Sequence, residues 1–185
     1  ITHPLCSGES TGSVTLTPSG GTNPVQIDWT ENGINIGSGA TINALDSGAY
    51  VYTLTEFNNC IYSNTVNLLP PDALSLTGST TPSTCGNMDG TASVGVSGGT
   101  TIVDYAYSWS NVLNGVSLPG SVNSQTNLTS GIYQVIVTDD NGCIDSTNIT
   151  VSDSDGPSIA YTSSNIACFG VSNGTIDLTI TGNGP

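Results

Sequence analysis

The stretch Ser47-Gly-Ala-Tyr-Val-Tyr-Thr-Leu-Thr-Glu-Phe-Asn-Asn-Cys60 aligns without gaps on Ser130-Gly-Ile-Tyr-Gln-Val-Ile-Val-Thr-Asp-Asp-Asn-Gly-Cys143, 83 residues further along. In both copies apolar residues fall at every second position: Tyr50, Tyr52 and Leu54 in one, Tyr133, Val135 and Val137 in the other. Successive side chains of a strand point to opposite faces, so this alternation predicts a strand with one dry and one wet face. The pattern extends upstream through Val14 and Leu16, then Ile27 and Trp29. The second copy repeats it at Ala92, Val94 and Val96, at Tyr105, Tyr107 and Trp109, and finally at Ile149 and Val151. Turn formers punctuate the runs at Gly20-Gly21, Asn32-Gly33, Asp46-Ser-Gly48, Asn58-Asn59, Asn114-Gly115 and Asn141-Gly142. Roughly seven short strands per copy predict a β-sandwich.

Leu45-Asp46-Ser-Gly48-Ala-Tyr50 has the form of a tyrosine corner, in which the phenol bonds back to an upstream carbonyl and pins one end of an immunoglobulin-like sandwich. The second copy keeps Leu128, Gly131 and Tyr133 and replaces the Asp. Trp29 and Trp109 occupy the same repeat position on alternating strands and read as core plugs, with Tyr50 and Tyr133 as the other structural aromatics. The position two after each corner Tyr is Tyr52 or Val135, so an antibody-type disulfide is excluded.

Upstream motifs repeat as well. Cys6-Ser-Gly, Gly12, Ser19-Gly-Gly-Thr22 and Trp29 correspond to Cys85-Gly, Gly90, Ser97-Gly-Gly-Thr100 and Trp109, and a third copy opens at Cys168-Phe-Gly170. A period near eighty exceeds that of a solenoid unit, so each copy is expected to be a small domain. The expected organisation is repeat 1 at 1–70, repeat 2 at 71–152 and the truncated start of repeat 3 at 153–185, in an extended array. Pro70-Pro71-Asp72 and Asp153-Ser-Asp-Gly-Pro157 mark the boundaries, since Pro ends ladders and its neighbours are turn formers. The first residue is Ile and the last motif breaks off before its Trp, so a longer parent chain is expected. Residues 158–185 hold one alternating run and should not bury a core unaided.

The 185 residues include 14 acidic side chains, one His and neither Lys nor Arg, for a net charge of −14. Affinity for phosphate backbones comes from Lys and Arg displacing counterions, so nucleic acid is excluded as a partner, and phosphoryl transfer and anionic membrane surfaces fall with it. Thr, Ser, Gly and Asn number 26, 25, 23 and 18, half the chain, which leaves little material for helices. No apolar run approaches the roughly twenty residues of a membrane span, so membrane insertion is not expected. Trypsin-like proteases have no bond to cut.

An enzyme needs a poised acid, base or nucleophile. His3 is the single imidazole and has no second copy, and the carboxylate pairs lie in turns of a repeated module, so no catalytic residue is assigned. Calcium is the one cofactor considered: Asp139, Asp140, Asn141 and Asp145 cluster around one hairpin, and Asp153 and Asp155 occupy the following linker, where oxygen ligands would converge. The competing reading is turn chemistry and a solvated linker; the first copy offers only Glu56 and Asp72 at the matching places. Exposed Tyr residues such as Tyr105 and Tyr107 could stack on sugar rings, which admits extracellular polysaccharide as a partner.

Five cysteines, at 6, 60, 85, 143 and 168, leave one without a partner. Each complete copy has a cysteine at its start and one after its penultimate strand, which suggests Cys6–Cys60 and Cys85–Cys143, with Cys168 awaiting a partner beyond residue 185. Fifteen arrangements with one cysteine left over are formally open. With no Cys-x-x-Cys, disulfides and an oxidising, extracytoplasmic home are favoured over zinc.

The string Cys-x-Gly, Ser-Gly-Gly-Thr, Trp, Leu-x-x-Gly-x-Tyr and Val-Thr-Asp-x-Asn-Gly-Cys runs from Cys85 to Cys143 almost in full, and from Cys6 to Cys60 with looser matches such as Thr55-Glu56-Phe57-Asn58-Asn59. It resembles the SprB-type repeats of large Bacteroidetes cell-surface adhesins, including gliding-motility adhesins. That resemblance implies a long protein exported by the type 9 system and displayed outside the outer membrane, with neighbouring repeats and other cell-surface proteins as partners. It implies no catalytic residues. The function expected is a structural stalk module, the alternative being repeats that themselves bind polysaccharide or one another.

Overall fold

The computed structural model describes all residues except 24, 155, 171 and 183–185. It is all-β, as the alternation requires. The first repeat contains β1 (Gly12–Thr15), β2 (Gln26–Glu31), β3 (Ile34–Ser38), β4 (Thr41–Leu45), β5 (Gly48–Thr55) and β6 (Ile61–Leu68). Two antiparallel sheets, of order β3-β2-β5-β6 and β1-β4, form an immunoglobulin-like sandwich. Val14 and Leu45 of one sheet meet Ile27, Trp29, Tyr50 and Leu68 of the other in a single buried cluster. The β2–β3 turn is Asn32-Gly33, with φ of 49° and 79°, the left-handed pair that a two-residue hairpin loop requires.

The second repeat contains β7 (Ser75–Thr81), β8 (Ser83–Thr84), β9 (Gly90–Ser97), β10 (Ala106–Asn111), β11 (Ser124–Leu128), β12 (Gly131–Thr138) and β13 (Ile144–Val151). Its sheets have the orders β11-β9-β7 and β10-β12-β13, and β8 pairs in parallel with β14 (Asp153–Ser154). Gly78 of β7 packs directly on Ile149 of β13, where a Cβ would approach the Ile side chain to 2.8 Å. Ala92, Val94, Trp109, Leu128, Tyr133, Val135, Val137, Ile149 and Val151 are buried.

Both tyrosine corners form. The Tyr50 hydroxyl donates to the Asp46 carbonyl at 3.0 Å, and that of Tyr133 to Thr129 at 2.9 Å. The indole N–H of Trp29 donates to the Gly39 carbonyl and that of Trp109 to the Val122 carbonyl. Each Trp therefore fills a core without stranding its polar atom.

Beyond the second repeat, β15 (Ser158–Ser164) and β16 (Thr175–Thr181) pair antiparallel over their full length. Only the second of these was visible as an alternating run. Every residue of both strands is exposed, Ile159, Tyr161, Ile176, Leu178 and Ile180 included, so this hairpin buries no core.

Compact units do not coincide with the repeats. One unit comprises 1–77, 96–107 and 136–146; the other comprises 78–95, 108–135 and 147–185. The division cuts across β7, β9, β10, β12 and β13.

Candidate functional site

Chemistry-bearing residues gather, within the first unit, around the turn between β12 and β13. Asp139 is 6% exposed, yet its carboxylate is fully used. One oxygen accepts the backbone N–H of Asn141 at 3.0 Å and of Cys143 at 2.8 Å, and the other accepts that of Thr100 at 2.8 Å. A buried carboxylate is tolerated when backbone donors replace its water. Thr100 belongs to the Ser97-Gly-Gly-Thr motif, whose Gly98 and Gly99 have φ of 77° and 68°. A Cβ on Gly98 would run into the Ala73 carbonyl oxygen and one on Gly99 into Leu74, so the motif needs glycine for close approach as well as for its backbone. Gly99 N–H donates to Asp72 O at 2.7 Å, which ties the loop to the chain leaving the first repeat.

Asp140 is exposed and accepts the N–H groups of Ile102 and Val103. These donors, Ile102 first, hold its carboxyl below the ordinary carboxylate value. Asp145 accepts the N–H of its neighbour Ser146. Asp153, in the second unit, accepts Ser83 Oγ–H at 3.3 Å and Gly86 N–H at 3.1 Å. Asp155 lies outside the described residues. Each described carboxylate of the expected calcium set thus serves as a pin for neighbouring donors, and among the described residues no three His, Cys, Asp or Glu side chains converge to hold a metal. Glu9, Asp72 and Asp145 do line one cleft of about 270 Å³ together with Cys6, Leu74 and Cys143.

The first repeat reproduces the device in weaker form. Glu56, half-buried at the position of Asp139, accepts the N–H and hydroxyl of Thr22, both at 3.3 Å. Thr22 ends Ser19-Gly-Gly-Thr. The repeated Ser-Gly-Gly-Thr string and the acidic residue four before the hairpin cysteine are therefore two halves of one clasp. Their joint recurrence in both copies was the signal available for it in the sequence.

The disulfide differs from the expected pairing. Cys6 bonds Cys143, 137 residues away, while Cys60, Cys85 and Cys168 are free thiols and exposed. Strand length explains why Cys6–Cys60 does not form. Residues 2–5 run beside Gly12 and Leu68: Thr2 bridges Ser13, Pro4 touches Gly12, and His3 Nδ1 accepts the N–H of Leu69 at 3.0 Å. Cys6 is thus held at the Leu68 end of β6, whereas Cys60 precedes Ile61 at the other. Eight residues of strand separate the two ends by roughly 26 Å, far beyond the span of about 7 Å that a disulfide tolerates between Cα atoms. In the second unit, Cys85 N–H donates to Ser154 O, past the Val151 end of β13. Around the bond that does form, Asn141 Nδ2 donates to Leu5 O at 3.1 Å, so the hairpin of the second repeat clasps the leading segment of the first.

His3 accepts the backbone hydrogen bond of Leu69. Tyr105 is half-buried and donates to Gly98 O at 2.7 Å, so it braces the Gly-Gly loop. Among the described residues no helix is long and apolar enough to cross a membrane.

Three solved structures illustrate likeness of fold. The three N-terminal domains of the bacteriophage RB49 highly immunogenic outer capsid protein are 15% identical, with a TM-score of 0.47 over 95% of this chain and 70% of that one. A Dscam structure is 16% identical at a TM-score of 0.38, over 83% of this chain and 44% of its own. The amphioxus IgVJ-C2 molecule is 15% identical at 0.34, over 82% and 99%. No curated protein sequence matches the chain. The SprB repeat family matches it at residues 1–33 and 160–185, the opening portions of the first and third copies, in agreement with the resemblance carried by the motifs.

Proposed function

We propose that the chain is a non-catalytic spacer segment of a large secreted cell-surface adhesin or filament, displayed outside the outer membrane and serving surface adhesion or gliding motility. The observation that carries this reading is the Cys6–Cys143 bond. Tension applied to the two ends of the chain passes through the disulfide, so residues 7–142 lie in a closed loop that no end-to-end pull can straighten. A chain without Lys or Arg that is closed in this way also resists proteolysis, which suits a durable extracellular part. The partners of such a segment are its neighbouring repeats, and its family resemblance to cell-surface proteins supports the location.

Single-molecule extension tests the reading. At about 3.5 Å per residue, the segments outside the loop extend about 170 Å in oxidising buffer, and the whole chain about 650 Å after reduction. An oxidised chain that stretches to the longer value would remove the mechanical argument. Affinity for polysaccharide that climbs as copies are joined would replace the spacer with a binding module.

A further inference from the structure

We infer that the cysteines of this repeat form a stapling register in which the leading cysteine of each copy bonds the hairpin cysteine of the following copy. Cys6 and Cys143 are the completed instance. In the first copy the two cysteines sit at opposite ends of β6, so that copy cannot close on itself. Cys6 lines a cleft with Asp72, Ala73 and Leu74, the segment that leads into the second repeat, and it meets that repeat's hairpin there.

Cys85 stands in the same relation to the third copy. It is exposed, and a Cβ on Gly156 would lie 3.2 Å from its Sγ, so the thiol faces the segment that leads into that copy. The third copy begins with β15 and β16, and Gly174-Thr-Ile-Asp-Leu-Thr-Ile-Thr181 reproduces the alternation of Gly90-Thr-Ala-Ser-Val-Gly-Val-Ser97. Wherever the remainder of a third copy follows, its hairpin cysteine is the partner of Cys85. Cys60 is by the same rule the partner of the leading cysteine of any copy that precedes the first. The staples interlock, because the loop closed by Cys6–Cys143 contains Cys85, from which the next loop starts.

Each bond forms by exchange with a small disulfide such as oxidised glutathione. Its S–S bond breaks, two glutathione thiols leave with the two protons and two electrons of the cysteines, and the Sγ–Sγ bond closes.

The test is disulfide mapping of the oxidised chain, first as it stands and then extended after residue 185 by a second copy of residues 102–154, which supplies the missing strands and one hairpin cysteine. Cleavage after Tyr, Trp and Phe puts all five native cysteines on different peptides. The 185-residue chain should show Cys6–Cys143 and three alkylatable thiols. The extended chain should gain a crosslink from Cys85 to the added cysteine, and only Cys60 and Cys168 should remain alkylatable. A crosslink between Cys168 and the added cysteine, or a Cys85 still free in a folded extended chain, overturns the register. Should the extension fail to fold, Cys6→Ser in the 185-residue chain decides: the register leaves Cys143 alkylatable, and a Cys85–Cys143 crosslink refutes it.

Discussion

Cys60 and Cys143 occupy the same position of the same hairpin in two copies of one repeat, yet Cys143 is bonded and Cys60 is free. The turns differ little. Asn59 holds φ of 60° where Gly142 holds 85°, and Glu56 catches Thr22 where Asp139 catches Thr100. What differs is the neighbour each turn meets: Cys143 meets residues 5 and 6 of the copy before it. The fate of a cysteine in this repeat is thus a property of the junction rather than of the domain.

Removing the bond should give the largest effect. Cys143→Ser or Cys6→Ser should cost about 5 kcal/mol in oxidising buffer, by the chain-entropy value for a loop of this size, while Cys60→Ser should stay within about 0.5 kcal/mol. Denaturant titrations of the three variants check this, and equal losses at Cys60 and Cys143 would break the comparison. Next comes the clasp. Asp139→Ala leaves three backbone donors without their acceptor and should cost about 2–3 kcal/mol. Glu56→Ala loses two longer bonds at a half-buried site and should cost about 1 kcal/mol or less; thermal midpoints of the two variants rank them.

Acid should separate the hairpins further. The carboxyl of Asp140 is held below its ordinary value of 3.8 by Ile102 and Val103 N–H, and that of Asp89 by Thr84, hydroxyl first and then N–H. A depressed carboxyl contributes its stability in full above the ordinary value and loses it as pH falls through the lower folded one. The Ile102 and Val103 amide resonances should therefore hold steady down to about pH 4 and move below it. The first repeat has Phe57 in place of Asp140 and should lack such a titration at the matching loop. An Ile102 shift complete above pH 5 would contradict the assignment. The smallest effect is expected from calcium: millimolar Ca²⁺ should leave the midpoint unmoved, since the carboxylates already accept backbone donors. A rise of several degrees would instead reveal a cation site.

Much of the fold was legible. Alternation at Tyr50, Tyr52 and Leu54 and at Tyr133, Val135 and Val137 marks β5 and β12, and Asp46-Ser-Gly-Ala-Tyr50 announces a corner whose hydrogen bond is present at 3.0 Å. β15 escaped notice because Ile159 and Tyr161 are its only large apolar residues among Ser, Thr and Ala, and it pairs through its backbone with β16. The clasp was half legible. Ser-Gly-Gly-Thr and the acidic hairpin residue are each obvious as repeated strings, but 39 residues separate Thr100 from Asp139, and only pairing of the strands brings them together.

By itself the sequence determined what depends on local periodicity and composition: strands from alternation, turns from Asn-Gly and Gly-Gly, corners from Tyr, and a surface closed to phosphates by the lack of Lys and Arg. Tertiary structure alone decided which cysteine meets which and what the carboxylates hold. Both depend on which ends of long strands come together, and a strand of eight residues puts two cysteines that look like partners in the sequence on opposite ends of the sandwich.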